Sequence, residues 1–118
     1  MTRQDLIDFC LTFPGVYEDY PYDNITKPET VAVMRHRANK KSFATVYERK
    51  DRLCVTLKCD PFEADFLRQT YRDVEAQSMP GWNYVYVGGD VPDEELRRMI
   101  GNSYELTKAK AKKKALKE

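Results

Sequence analysis

The chain has 118 residues, 42% hydrophobic and 12% aromatic, with 20 lysines and arginines against 19 aspartates and glutamates. That composition fits one globular domain with a single modest core and excludes a disordered chain. No apolar run approaches the 18 or so residues a membrane span needs, and no apolar stretch behind Met1 suggests a signal peptide.

Thr2 to Phe13 predicts a helix, with Thr2 as N-cap and Asp5 three residues on. Leu6, Phe9, Cys10 and Phe13 fall on one face, and Pro14-Gly15 stops the run. Residues 16–29 read as a long connection holding Tyr17, Tyr20 and Tyr22. Three short strands follow, Thr30–Arg35, Phe43–Glu48 and Leu53–Lys58, joined by charged turns and therefore antiparallel. In the third, Leu53, Val55 and Leu57 share the core face, which leaves Cys54, Thr56 and Lys58 on a wetter one. Asp60-Pro61-Phe62-Glu63 opens a second helix, which should run to Tyr71 with Phe62, Phe66 or Leu67, and Tyr71 inward. Trp82–Val87 reads as a fourth strand ended by Gly88-Gly89. Asp90 to Glu95 opens the last helix, whose stripe is Leu96, Met99, Ile100 and Tyr104. The fold class is α+β: an antiparallel β-sheet with helices packed on one face, in the order α-β-β-β-α-β-α. Residues 1–107 make one domain, and residues 108–118 form a basic Lys/Ala tail with helical propensity.

Chemistry is sparse. His36, the only histidine, falls in an expected surface turn between Arg35 and Arg37, which would hold it neutral. Cys10 lies on an apolar helix stripe. Cys54 and Cys59 flank a strand-to-helix junction, and no spacing matches a zinc site. Three cysteines without close spacing argue against a disulfide framework and fit a reducing cytoplasm. Asp90, Asp93, Glu94 and Glu95 read as a helix N-terminus and not as a metal site. No catalytic residue, metal or cofactor is expected.

Charge placement carries more. The net charge of +1 conceals two basic blocks. Residues 35–58 hold eight cations against Glu48 and Asp51, net +6, and residues 106–118 hold six lysines against Glu118, net +5. The other 81 residues hold −10. Segregated cations ask for an anionic partner, nucleic acid first. Arg35, Arg37, Lys40, Lys41, Arg49, Lys50, Arg52 and Lys58 are the phosphate candidates, with Asn39 as a hydrogen-bonding neighbour. Both turns are expected to project from one edge of the sheet. Trp82, Tyr84 and Tyr86 share a strand face that could serve as a stacking surface.

The run Leu57-Lys58-Cys59-Asp60-Pro61, then Leu67-Arg68, Trp82 opening a strand, Val91-Pro92-Asp93-Glu94-Glu95-Leu96 and Ser103-Tyr104 resembles the MmcQ/YjbR family. So does the early helix before Phe13-Pro14-Gly15. The resemblance covers roughly residues 2–107. It implies a fold like the bacterial frataxin homologue CyaY, and no enzymatic activity. DNA binding has been suggested for the family through loops described as a double wing. One step departs from the family pattern: Gln77-Ser78-Met79-Pro80-Gly81 lacks the Asn-Lys pair common before the strand tryptophan. The frataxin-like fold raises iron by analogy, but Asp5 and Asp8 are too few for an acidic ridge.

The expected function is therefore DNA binding of low sequence specificity by a cytoplasmic monomer. Two alternatives stand beside it: an interaction module for an unidentified protein, using the tyrosine loop and the Trp82 face, and a small-ligand site beneath that loop.

Overall fold

The computed structural model describes residues 1–22 and 31–109. Helix α1 (Arg3–Leu11) starts from a full capping box, in which Thr2 and Asp5 each bond the other's backbone N–H. Then come β1 (Val16–Asp19), β2 (Ala32–His36), β3 (Ser42–Arg49), β4 (Arg52–Lys58), α2 (Pro61–Thr70), β5 (Val74–Ala76), β6 (Trp82–Tyr86) and α3 (Asp93–Thr107). The α+β class holds. The element order gains two strands: β1, in a segment read as a connection, and β5, between the second helix and the fourth expected strand, where no element was expected. Each is an edge strand of four residues or fewer, too short for a clear alternation.

All six strands form one antiparallel sheet in the order β1-β2-β3-β4-β6-β5. Period-two alternation sends Ala32, Met34, Ala44, Val46, Val55, Leu57, Val74 and Val85 toward the helices, where they bury with Leu6, Cys10, Leu67, Leu96, Met99 and Ile100. A register shift at Met34/Arg35 admits an extra residue on β3. The bulge lets neighbouring Phe43 and Ala44 both reach the core. Phe43 then packs edge-on against Phe13 and Tyr104.

Four expectations are corrected. Phe62 and Phe66 are 88% and 65% exposed, because α2 turns Ala64 and Leu67 inward instead. The supposedly wet face of β4 is dry at Cys54 and Thr56, 0% and 4% exposed. Asp90 does not open α3; its carboxylate accepts the backbone N–H groups of Arg72 and Asp73. Finally, α3 ends at Thr107 with Lys108 extended, so no helix continues through residues 108 and 109. The remainder of the tail lies outside the described residues, as does Thr30, the expected first residue of the first of the three short strands.

Candidate nucleic-acid interface

Strand β3 runs between the two basic turns, so a meander places them at opposite ends of the sheet. Its eight residues separate them by about 25 Å at roughly 3.3 Å per residue. The expectation of one cationic edge fails on this point. Consecutive antiparallel hairpins must point in opposite directions.

At the first end, residues 37–41 fold back on themselves. Lys40 N–H donates to the His36 carbonyl at 2.8 Å, and Arg37 N–H donates to Gly15 at 2.7 Å. Lys40 sits at φ +62°, a left-handed conformation that is unfavourable by roughly 1–2 kcal/mol for a residue with a Cβ. Asn39 is committed to the fold and not to a partner: its amide donates to the Thr107 carbonyl at 3.0 Å, and its oxygen accepts Lys41 N–H at 3.0 Å. His36 is a second tie. It is buried, not a surface residue, and its Nε2 lies 2.8 Å from the Thr107 hydroxyl. Thr107 donates onward to the Ser103 carbonyl at 2.7 Å, so Nε2 must carry the proton and donate. Burial lowers the His36 pKa first and Lys108 adds to it, against Glu105. The expected effect of Arg35 and Arg37 is absent from these causes. Turn 37–41 is thus pinned to the C-terminal end of α3, where the second basic block begins.

Arg37, Lys40 and Lys41 are exposed there, and none has an ion-pair partner among the described residues. Arg37 lies 5.5 Å from the Tyr17 ring centroid. Lys58, at the same end of the sheet, pairs in register with Trp82. Its backbone N–H donates to Ser103 at 2.9 Å. Arg35 is different: it is held by Asp19 at 2.7 Å and donates to the Lys40 carbonyl at 3.0 Å.

The second end is closed. Lys50 and Asp51, at φ +55° and +60°, make the two-residue turn whose twist suits a hairpin. Arg52 grips Asp73 with two bonds of 2.8 and 3.1 Å. Lys50 reaches Glu75 at 3.2 Å, and Arg49 bonds both Glu75 and the Tyr86 hydroxyl. The Arg52 hydrogen bond holds the Asp73 carboxyl below its usual range despite partial burial. Burial opposes ionisation of Glu75, but Lys50, Tyr86 and Arg49 together bring its pKa down. A Cβ at Gly89 would strike the Asp73 carboxylate, so Gly89 is the residue that leaves room for this pair.

The aromatic face is partly consumed by the same cluster. Arg49 covers the Tyr84 ring at 3.9 Å, and Arg52 and Lys50 approach Tyr86 at 5.0 and 6.0 Å. Tyr86 is only 2% exposed and is withdrawn from the surface candidates; Trp82 and Tyr84 remain half-buried on the open face. Asp73 and Glu75, which neutralise the second turn, come from the missed β5 segment. The alternation in Asp73-Val74-Glu75-Ala76 was the available signal, with Val74 alone reaching the core. Burial pushes the Cys10 thiol up to about 12 and the Cys54 and Cys59 thiols up to about 11, so none is poised as a nucleophile. No helix among the described residues is long and apolar enough to cross a membrane.

The YjbR family profile matches residues 11–106. YjbR of Escherichia coli K12 is 31% identical over 112 residues, spanning 89% of this chain and 86% of its own. A Pseudomonas syringae protein of known crystal structure superposes with a TM-score of 0.76 at 26% identity, covering 92% of this chain and 100% of its own. A Deinococcus radiodurans protein with a DUF419 domain superposes at 0.78 and 26% identity, covering 98% of this chain and 88% of its own.

Proposed function

The chain belongs to the YjbR family, and for this member we propose phosphate-directed DNA binding by the basic end that holds turn 37–41, with the lysines that follow Thr107 as an auxiliary arm. The observation that carries this reading is Lys40. It holds a left-handed backbone that glycine would adopt more easily, yet its side chain forms no ion pair among the described residues. Lys50 shares that backbone strain, but Glu75 offsets it. A cation on a strained turn with no carboxylate beside it among the described residues supports an external anion. Arg37, Lys41 and Lys58 stand on the same end, and Asn39 and His36 fix it to the helix from which the tail departs.

The binding so described is non-catalytic and of low sequence specificity, because lysines track phosphates and few side chains here could read base edges. A monomer with three buried free thiols suits a reducing compartment, and we place it in the cytoplasm. Arg49, Arg52 and Arg35 are left out of the contact set because each already holds a carboxylate.

A salt series with labelled duplex tests the reading. Affinity should fall with salt at a slope of about −0.9 per phosphate neutralised. Absence of binding at low salt, or a flat salt response, removes it.

A further inference from the structure

The sheet face turned away from the helices carries a second feature, independent of the basic end. Its middle holds Val33, Thr45, Tyr47, Cys54, Thr56, Trp82 and Tyr84, none of them charged, while Asp19, Arg35, Arg49, Arg52, Lys58 and Glu75 share the same face toward its margins. The open face of an antiparallel sheet is ordinarily solvated and polar. Here two small residues, Thr45 and Thr56, are paired directly across β3 and β4 at its centre. Larger side chains stand around them. The result is a cavity of about 410 Å³ lined by Tyr22, Val31, Thr45, Tyr47, Thr56 and Gln77. That volume is in the range of small-molecule sites, roughly 300–1,000 Å³.

The lining selects a ligand class. None of these six side chains is charged, so an ionic ligand would lose hydration there without gaining an ion pair from the described residues. Tyr47 and Thr56 already bond each other, but a purely aliphatic ligand would cover the Thr45 hydroxyl and the Gln77 amide without bonding them. Tyrosine rings offer flat surfaces for stacking, while hydroxyl and amide groups offer both donors and acceptors. Burial raises the Tyr47 pKa, partly offset by Thr56, so its phenol stays neutral. A second cavity, near α1, is unlike this one: Asp5, Asp8, Asp93 and Arg97 line it, and the N-terminal ammonium already faces Asp93 at 3.6 Å.

We propose that the open-face cavity is a binding site for an uncharged planar heterocycle with a hydrogen-bonding edge, of the nucleobase type. Such a ring would stack on tyrosine and present its edge to Thr45 and Gln77. It has two sources, a free nucleoside or an unpaired base of a single strand.

The full chain would be titrated with adenosine, with uridine and with a short single-stranded oligothymidine, followed by backbone amide NMR and tryptophan fluorescence. Trp82 is the only tryptophan, and its carbonyl accepts the Gln77 N–H at 3.1 Å, so it reports on the cavity rim. Saturable shifts centred on Thr45, Tyr47, Thr56 and Gln77 are expected. Gln77→Ala should weaken binding about tenfold, and Thr45→Leu, which fills the cavity, should abolish it. Response to a nucleoside assigns the free ligand. Response to the strand alone, lost in Thr45→Leu, assigns the unpaired base. Nucleoside binding should be unchanged by salt and by Lys40→Glu with Lys41→Glu, which separates it from the duplex reading. Shifts confined to turn 37–41, binding indifferent to both cavity variants, or no response to any of the three ligands would overturn the proposal.

Discussion

The two turns that flank β3 look alike in sequence and differ in the fold. Each holds cations, and each places a lysine in the left-handed region. At residues 49–52 the cations meet Asp73 and Glu75 and lie over tyrosine rings. At residues 37–41 they meet no carboxylate among the described residues, although Arg37 lies near the Tyr17 ring, and the backbone is tied down by Asn39 and His36. The difference teaches that a basic block is a count of charges, whereas a binding surface is what remains after the fold has paired them. Counted by sequence, residues 35–58 are one +6 patch. Counted in space, they are one closed end and one open end, about 25 Å apart.

The comparison can be broken most forcefully at the closed end. Asp73→Ala removes the Arg52 bonds and one to the Asp90 backbone, and should lower stability by about 2 kcal/mol in a denaturant melt. Gly89→Ala should act in the same direction by displacing the same carboxylate. Lys40→Ala and Lys41→Ala should stay within about 0.5 kcal/mol, as surface changes do. Equal losses at both turns would erase the distinction.

Acid should also act first on buried and closed parts. His36 has a folded pKa below its unfolded value. The unfolded chain therefore takes up its proton first, and stability starts to fall as pH drops below about 6.5. Asp73 and Glu75 are likewise depressed, so their contribution is present above about pH 4 and is lost as pH falls further. Melts across pH 3–7 should show both stages, and Asp73→Asn should flatten the lower one.

A smaller effect is expected where the open turn meets α3. Asn39→Ala deletes the bond to Thr107 and the one from Lys41, costing about 1 kcal/mol and loosening the basic end. Melts and duplex titrations should both register it. Smallest is Asp51→Gly, which relieves a positive φ and should stabilise by about 0.5 kcal/mol with no change in DNA affinity.

Much of the fold was legible because its signals are local. The Thr2 and Asp60 caps, the Leu53/Val55/Leu57 alternation and the α3 stripe all match the structure. What escaped depends on contacts distant in sequence. Edge strands β1 and β5 are defined by their partners and not by their composition. Phe62 and Phe66 have core-like spacing, yet Arg68 and Ala64 are the residues tied to buried Asn83. The site was half legible. Its cations were visible, but their counterions lie 21 to 26 residues away, on a strand whose pattern is three residues long.

Matched charge reversals with labelled duplex DNA at low salt test the inequality of the two turns most directly. Lys40→Glu with Lys41→Glu should weaken binding at least tenfold and cut the salt slope by about 2, as expected for two lost phosphate contacts. Lys50→Glu at the closed turn should change affinity less than twofold. Equal losses from the two ends, or a larger loss from Lys50→Glu, would contradict the assignment of DNA binding to the open end.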